Sequence, residues 1–337
     1  PRDLFVRGGF NDWAAADAYR LGFLGGADYS VSAPVSEGSW EFKIADNDWT
    51  GDTNCGAGAA GGNVRLGIPL TLACFSDSGN LGITAPSTGD YTFSLEASDT
   101  ANPVLTVTKS APVDVTLFVR GGFNDWGNGP APTAPLAWDG LSTYRVVIPD
   151  LTAASYEFKI ADSDWSGPTN CGGATGGTSV TLGQPYPLSC FSDSQNIGVT
   201  FPADGSYLFA IDSSNPASLQ LTVEKVPVDV PVFVRGIAGD WSDGAQNQMS
   251  YLGSGIYSIN KFVASETNEF KIASSDWATV DCGGGGDGTN VTVGAPLALA
   301  CGSGTPNLTL TPPAGGTYNF QFNRQSAEAG VLTVTGP

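Results

Sequence analysis

The sequence predicts an all-β protein made of three tandem immunoglobulin-like β-sandwich domains. One motif occurs three times, at residues 41–49 (EFKIADNDW), 157–165 (EFKIADSDW) and 269–277 (EFKIASSDW). A second motif precedes each of them, at residues 5–13 (FVRGGFNDW), 118–126 (FVRGGFNDW) and 233–241 (FVRGIAGDW). Three copies in 337 residues give units of ordinary domain size. We therefore expect domains at 1–110, 111–226 and 227–337, joined by short linkers that contain proline.

The strands are predicted from short alternating patterns, which recur in each copy. In copy one they lie at 4–7, 29–32, 40–45, 63–66, 81–84, 91–95 and 104–107. In the strand at 40–45, Phe42 and Ile44 point to one face, and Lys43 is expected to point to solvent on the other. We interpret residues 14–26 as loop with at most one short strand. About seven short strands per unit are typical of an immunoglobulin-like sandwich.

Composition excludes several classes of function. The net charge is −19 and the chain has no histidine, so a nucleic-acid-binding surface is not expected. Attraction to an anionic membrane is equally unexpected, and the sequence contains no apolar run long enough to span one. A chain that begins at Pro1 without methionine is expected to be a processed product.

The six cysteines form one pair per copy, and the two members of each pair are 19 positions apart. The spacing does not fit a zinc site, which needs closely spaced cysteines and usually histidines. We predict three disulfides within the copies: Cys55–Cys74, Cys171–Cys190 and Cys282–Cys301. Disulfides predict an extracellular or cell-surface location.

The scarcest large side chains are concentrated in the repeated motifs. Six of the 14 basic residues and six of the eight tryptophans lie there at equivalent positions. Indoles beside an ammonium group could form a platform for a sugar, because the apolar face of a pyranose stacks on an indole and its hydroxyls accept hydrogen bonds. The alternative is that the tryptophans are core and that the arginines and lysines pair with nearby aspartates. For Arg7, Arg120 and Arg235 we favour that structural role.

The two motifs together resemble the starch- and glycogen-binding early-set sandwich domains that accompany pullulanases, branching enzymes and glycogen-binding kinase β-subunits. The resemblance implies α-glucan contacts from the tryptophan of the first motif and from the lysine and tryptophan of the second. An asparagine nearby would add a hydrogen bond, and copy three has Asp281 at that position. The residues implied are Trp13, Lys43, Trp49 and Asn54 in copy one, Trp126, Lys159, Trp165 and Asn170 in copy two, and Trp241, Lys271 and Trp277 in copy three. Two features depart from that family: no amylase-like catalytic domain follows in this sequence, and each copy carries a disulfide loop near the implied site.

The sequence offers little support for catalysis or for a cofactor. Asp46 and Asp48 form a carboxylate pair of the kind a glycosidase needs, but copy three has Ser274 in place of Asp46. We therefore predict that the protein is not an enzyme. Asp46, Asp48 and Asp52, or residues 75–80, could supply oxygen ligands to Ca²⁺, and the alternative is that the aspartates cap Asx turns.

Two functions fit these observations. The first is non-catalytic extracellular binding of a polysaccharide, in which weak sites in tandem gain avidity on a polymer. The second is a structural subunit of a filament or surface layer. The end of the chain, 332–337, placed against the start, 1–8, nearly recreates the junction between copies one and two. Self-association would then be head to tail, with copy three of one molecule docked on copy one of the next.

Overall fold

The computed structural model describes residues 2–58, 62–128, 134–173, 179–215, 218–324 and 326–336. Pro1 and Pro337, which belong to the predicted head-to-tail contact, lie outside the described residues. The described chain is almost entirely β-structure in several separate sheets, which confirms the predicted all-β class and the presence of more than one β-sandwich. The division into three domains at the stated boundaries remains our proposal.

The strands are short and numerous in each copy. Copy one contains β1 (Phe5–Gly8), β2 (Gly22–Gly25), β3 (Asp28–Val35), β4 (Gly38–Ala45), β5 (Cys55–Ala57), β6 (Asn63–Val64), β7 (Leu70–Cys74), β8 (Leu81–Ala85), β9 (Gly89–Glu96) and β10 (Val104–Lys109). Copy two contains β11 (Phe118–Gly121), β12 (Ala134–Pro135), β13 (Ala137–Trp138), β14 (Thr143–Leu151), β15 (Ser155–Ala161), β16 (Cys171–Gly172), β17 (Tyr186–Pro187), β18 (Ser189–Cys190), β19 (Ile197–Thr200), β20 (Gly205–Asp212) and β21 (Gln220–Lys225).

Copy three repeats the arrangement of copy one. It contains β22 (Val232–Arg235), β23 (Ser250–Gly253), β24 (Ile256–Val263), β25 (Asn268–Ser274), β26 (Asp281–Gly284), β27 (Asn290–Val291), β28 (Pro296–Cys301), β29 (Leu308–Leu310), β30 (Gly316–Arg324) and β31 (Ala329–Thr335). Short 3-10 helices lie at Gly9–Asn11, Asp17–Tyr19, Gly122–Gly127, Gly167–Thr169, Ile237–Gly239 and Ala245–Asn247.

Two layers of strands enclose the core of each copy. In copy one, β4 pairs with β1 and β8 in one layer, and β9 pairs with β3 and β10 in the other. The layers meet through Phe42 and Phe93, whose ring centres are 5.6 Å apart in an edge-to-face arrangement. The same pair recurs as Phe158–Phe209 and Phe270–Phe320, at 5.3 and 5.5 Å. Edge-to-face pairs of this kind stabilise a core by about 0.5–1.5 kcal/mol beyond the area they bury.

A buried tyrosine at the start of the central strand marks each sandwich as immunoglobulin-like. The hydroxyl of Tyr91 donates to the carbonyl oxygen of Ser87, four residues upstream, at 2.8 Å. Tyr207 and Tyr318 donate to Ala203 and Ala314 at the same distance. This contact has the form of the tyrosine corner of immunoglobulin-like domains.

Buried apolar side chains form three clusters, and each cluster follows one copy of the repeat. They span residues 4–107, 117–223 and 208–334. The third cluster also contains Leu208 and Val226, which lie on the copy-two side of the proposed boundary. The junction between copies two and three is therefore packed with apolar side chains from both.

The three predicted disulfides are confirmed. Each joins cysteines that lie directly opposite each other on neighbouring antiparallel strands, with Cα atoms 3.9–4.0 Å apart. The strands that carry them in copy one, β5 and β7, were not predicted. These strands lie in a glycine-rich segment in which apolar and polar residues do not clearly alternate.

None of the helices in the described ranges is both long and apolar enough to cross a membrane.

Candidate functional site

An arginine on the first strand of each copy organises the candidate site. In copy one, the Nε of Arg7 donates to the carbonyl oxygen of Trp13 at 2.8 Å. Its Nη1 donates to the carbonyl oxygens of Asp46 and Asn47 at 2.8 and 3.0 Å. The side chain thereby ties the turn after β1 to the turn after β4. Burial lowers the pKa of the Arg7 guanidinium, and the carboxylates of Asp46 and Asp48 act in the opposite direction.

The same arginine covers one face of the second tryptophan. The guanidinium carbon of Arg7 lies 3.9 Å from the ring centre of Trp49. Arg120 over Trp165 and Arg235 over Trp277 repeat the contact at 4.0 and 4.1 Å. The expected structural role of the arginines is thus supported, but their hydrogen bonds go to backbone carbonyls rather than to aspartate carboxylates. Cation–π stacking and charged hydrogen bonds both hold the indole in place.

The tryptophans adopt a backbone conformation that such side chains seldom take. The φ angles of Trp13 and Trp49 are 61° and 57°, in the left-handed region. Trp126, Trp165 and Trp277 have φ angles of 56°, 56° and 55°. A non-glycine residue here costs on the order of 1–3 kcal/mol, so the surrounding contacts must enforce the conformation. Trp241 follows a different turn, in which Gly239 and Ala238 take the left-handed conformation instead.

Two indoles meet in every copy. The ring centres of Trp13 and Trp49 are 6.2 Å apart and their planes are inclined by 45°. Trp126–Trp165 and Trp241–Trp277 lie at 6.3 and 6.2 Å, with angles of 43° and 34°. All six side chains are half-buried, so they are not core residues. The pair persists in copy three although the first motif there differs.

The lysines of the second motif are buried, and our expectation that Lys43 points to solvent is wrong. Lys43 is 7% exposed, and so are Lys159 and Lys271. The ammonium of Lys43 donates to the carbonyl oxygen of Ser78 at 2.5 Å, and that of Lys159 to Ser194 at 2.7 Å. The chain after the disulfide folds over this face of the strand, which alternation within the strand cannot reveal. Burial lowers the pKa of Lys43 and Lys159, and Asp77 and Asp193 oppose this shift.

The asparagines implied by the family resemblance are buried as well. Asn54 and Asn170 are each 6% exposed, and their side-chain amides donate to the carbonyl oxygens of Ser76 and Ser192 at 3.1 and 3.3 Å. In copy three, the Asp281 carboxylate forms an ion pair with Lys271. The lysine of copy three therefore has a carboxylate partner where the lysines of copies one and two bond to a carbonyl.

Two exposed phenylalanines lie beside these asparagines, and the sequence analysis missed them. Phe75 and Phe191 are 49% and 42% exposed, and each backbone N–H donates to the carbonyl oxygen of the neighbouring asparagine at 3.1 Å. The repeated CFSDS at 74–78 and 190–194 could have identified them. Copy three has Gly302 at this position, so its site lacks the ring.

Asp46 caps a turn. Its Oδ1 accepts hydrogen bonds from the backbone N–H groups of Asp48 and Thr50 at 3.1 and 2.9 Å, as expected for an Asx turn. Asp52 forms an ion pair with Arg2 at 3.0 Å. Among the described residues, no group of three or more carboxylate, cysteine or histidine side chains is placed to hold a metal ion.

A cavity of about 760 Å³ lies elsewhere, at the junction of copies two and three. Its walls include Leu208, Val228, Met249 and Tyr257, and none of the six repeated tryptophans lines it. The indole pairs therefore lie apart from this cavity, each half-buried at the surface.

No protein-family model matches the chain, and no curated protein sequence matches it. Two solved structures are similar in part. The ligand-induced structure of AmyP-SBD, a starch-binding domain, is 30% identical, with 34% of this chain and 75% of that chain covered and a TM-score of 0.27. The crystal structure of SusF from Bacteroides thetaiotaomicron is 16% identical, with 98% of this chain and 72% of that chain covered and a TM-score of 0.28. TM-scores this low establish neither a shared fold nor a shared function.

Proposed function

We propose that the protein is a non-catalytic, extracellular carbohydrate-binding protein whose paired tryptophans bind an α-glucan. The observation that carries this proposal is the half-buried indole pair, which occurs in each copy at 6.2–6.3 Å. Three disulfides support the extracellular location.

The geometry favours a curved glycan chain. Since Arg7 covers one face of Trp49, a sugar has the other face and the neighbouring Trp13 available to it. Two planes inclined by 45° suit successive rings that are themselves inclined, as in an α-linked glucan, better than the flat ribbon of a β-linked one. Each ring would present its apolar face to an indole.

The buried polar residues support this platform. Lys43 donates a hydrogen bond to the carbonyl oxygen of Ser78, and Asn54 donates one to that of Ser76. These two bonds position the segment that follows the disulfide. In the proposed site the two side chains position this segment rather than lie fully open to the sugar. Copy three, with its Lys271–Asp281 ion pair and without the exposed phenylalanine, is expected to bind more weakly.

Calorimetry with maltooligosaccharides tests the proposal. Trp49→Ala and Trp165→Ala should each remove stacking at one site, at a cost of about 1–3 kcal/mol by analogy with aromatic stacking on other ring ligands. Trp40→Ala is the matched control, because Trp40 is also a half-buried tryptophan of copy one but packs against Phe10. Cellooligosaccharides should bind more weakly than maltooligosaccharides. The absence of heat from the unmodified protein, or unchanged binding by a variant lacking both Trp49 and Trp165, would contradict the proposal.

A structural subunit of a head-to-tail assembly is a second candidate function. The specific observation that favours it is that no described atom would lie within 4 Å of a Cβ on Gly25, in the hairpin formed by β2 and β3 of copy one.

A further inference from the structure

Each copy carries a hairpin near its start, which we term the junction hairpin. It comprises β2–β3 in copy one, β13–β14 in copy two and β23–β24 in copy three. Two aromatic rings face each other across each hairpin, six residues apart in sequence. They are Phe23–Tyr29, Trp138–Tyr144 and Tyr251–Tyr257, with ring centres 5.2, 4.7 and 4.9 Å apart. The three hairpins are therefore equivalent, residue by residue.

In copy two, the junction hairpin docks on the last strand of copy one. The indole N–H of Trp138 donates to the carbonyl oxygen of Lys109 at 2.6 Å, and the backbone N–H of Lys109 donates to the carbonyl oxygen of Gly140 at 2.5 Å. A Cβ built on Gly140 would lie 2.9 Å from the Cγ2 of Thr108, so the hairpin touches that side chain.

In copy three, the junction hairpin docks on the equivalent strand of copy two, β21, but through a side chain rather than the backbone. Glu224 accepts hydrogen bonds from the hydroxyl of Tyr251 and from the backbone N–H of Ser254, the latter at 2.7 Å. A Cβ on Gly253 would lie 3.4 Å from Leu208 and 3.5 Å from the Glu224 carboxylate. Glu224 occupies the position of Thr108, since each follows the valine that accepts a hydrogen bond from an equivalent glycine. One surface is thus used at both internal junctions.

Among the described residues, none covers the junction hairpin of copy one in this way. A Cβ on Gly25, the counterpart of Gly140 and Gly253, would meet no described atom within 4 Å. Phe23 is 45% exposed, whereas its counterpart Tyr251 is 8% exposed. Leu24 is 71% exposed, whereas the same residue type at the equivalent position, Leu252, is partly buried. The hairpins of copies two and three each form this interface with the preceding copy, and in the described structure the hairpin of copy one does not.

We propose that the junction hairpin of copy one docks on β31 of a second copy of this chain, with Leu24 and Phe23 against Thr335. Thr335 follows Val334, and the N–H of Gly294 donates to the Val334 carbonyl just as Gly67 and Gly183 donate to Val107 and Val223. By that register, Thr335 is the counterpart of Thr108 and Glu224. It is the equivalent docking position on copy three.

The two surfaces match in polarity. Where the strand offers the Glu224 carboxylate, the docked hairpin supplies the Tyr251 hydroxyl. Thr335 offers no carboxylate, and Phe23 brings no hydroxyl that would need one. Docking would cover the apolar surface of Phe23 and Leu24 without burying an unpaired charge, which is the condition for a favourable contact.

One contact within the chain lies close to the proposed docking position. The Nη1 of Arg65, in copy one, donates to the carbonyl oxygen of Gly336. This hydrogen bond is exposed, so water or an incoming hairpin can replace it. The proposed contact joins different surfaces of the two molecules. It therefore extends into an open assembly unless the rotation closes a ring.

The concentration dependence of the full-length chain in sedimentation velocity tests the proposal. The unmodified chain should form dimers and longer species as concentration rises. Leu24→Lys and Thr335→Lys should each weaken association by more than about tenfold, because a lysine charge would lose water at the contact. Phe191→Lys is the matched control, since Phe191 is 42% exposed and lies in copy two, outside both the copy-one junction hairpin and β31. This variant should associate like the unmodified chain.

A mixture of the two variants tests the direction of the contact. Leu24→Lys blocks only the hairpin and Thr335→Lys blocks only β31, so an equimolar mixture should form dimers that do not grow. Binding of maltooligosaccharides by both variants should be unchanged, which separates this proposal from the glycan site. The proposal is overturned if the unmodified chain stays monomeric at every concentration reached, if Thr335→Lys associates normally, or if Phe191→Lys is as defective as Leu24→Lys.

Discussion

The guanidinium carbon of Arg7 lies 3.9 Å from the ring centre of Trp49, and the same guanidinium donates to the carbonyl oxygen of Trp13. One side chain therefore positions both indoles of the candidate site. The relationship recurs in all three copies, so it belongs to the repeat itself.

Arg7→Met should destabilise copy one by about 2–4 kcal/mol, because three hydrogen bonds from a charged donor are lost and their carbonyl acceptors are left unpaired. Loss of the near-ultraviolet circular dichroism of the indole pair should accompany the lower unfolding transition. Arg2→Met provides the control: its ion pair with Asp52 is exposed, so the change should stay within about 1 kcal/mol. Equal effects of the two substitutions would argue against the role of Arg7 in joining the turns after β1 and β4.

Asn54→Asp should reduce the pH dependence of the stability of copy one that comes from Lys43. Burial lowers the pKa of Lys43, so in the unmodified chain the unfolded state holds a proton that the folded state has lost. Stability should then rise with pH between the lowered pKa and the usual value of 10.5. A carboxylate at position 54 would place an opposite charge beside the Lys43 ammonium, as Asp281 does beside Lys271, and would oppose the lowering of the Lys43 pKa. The rise in stability with pH should therefore be smaller in Asn54→Asp than in the unmodified chain.

Chemical denaturation at several pH values, together with NMR titration of the Lys43 side chain, measures both effects. Asp281→Asn is the reciprocal change. It should lower the stability of copy three, because the Lys271 ammonium is left buried without its carboxylate. An unaltered lysine titration in Asn54→Asp would show that positions 43 and 54 are not coupled.

Removal of one disulfide should destabilise its own copy by about 3 kcal/mol, since the closed loop no longer restricts the unfolded chain. The double variant Cys171→Ser/Cys190→Ser isolates copy two. Differential scanning calorimetry should show one transition moved down. Reductant should then shift the transitions of copies one and three without further effect on copy two.

Alkaline unfolding should begin at the junction of copies two and three. Burial raises the pKa of Tyr257 to about 12, and burial together with the hydrogen bond to Glu224 raises that of Tyr251. The folded state thus favours the neutral phenols. Their contribution to stability is present below the usual pKa of 10 and is lost as pH rises through the folded pKa.

Tyrosinate absorbance followed with far-ultraviolet circular dichroism checks this expectation. Tyr257→Phe should move the alkaline transition of copy three upward, because the ionising group has been removed. Tyr29→Phe, at the equivalent position of the copy-one hairpin, should leave that transition unchanged. If Tyr257→Phe leaves the alkaline transition of copy three unchanged, another ionisation causes that transition.

The sequence was sufficient for the features that repeat locally. Alternation predicted strands such as β4 and β9, and the constant cysteine spacing predicted the disulfides. The burial of Lys43 could not be predicted, because it depends on the segment at Ser78, 35 positions away, which folds over the strand. The role of Arg7 depends in the same way on carbonyl groups 39 and 40 positions away. Side-chain periodicity reports which face a residue occupies and carries no information about what later covers that face.

Five of the six repeated tryptophans lie in the left-handed backbone region. An unfolded chain seldom visits that conformation with such a side chain, so the orientation of these indoles is settled when the protein folds. A ring that arrives at the surface would meet two planes already in position and would immobilise little that was free before. If the indole pairs bind a glycan as we propose, one segment of a polymer could dissociate and the next could bind without rearrangement of these backbone turns, so a long chain could remain attached while it moves.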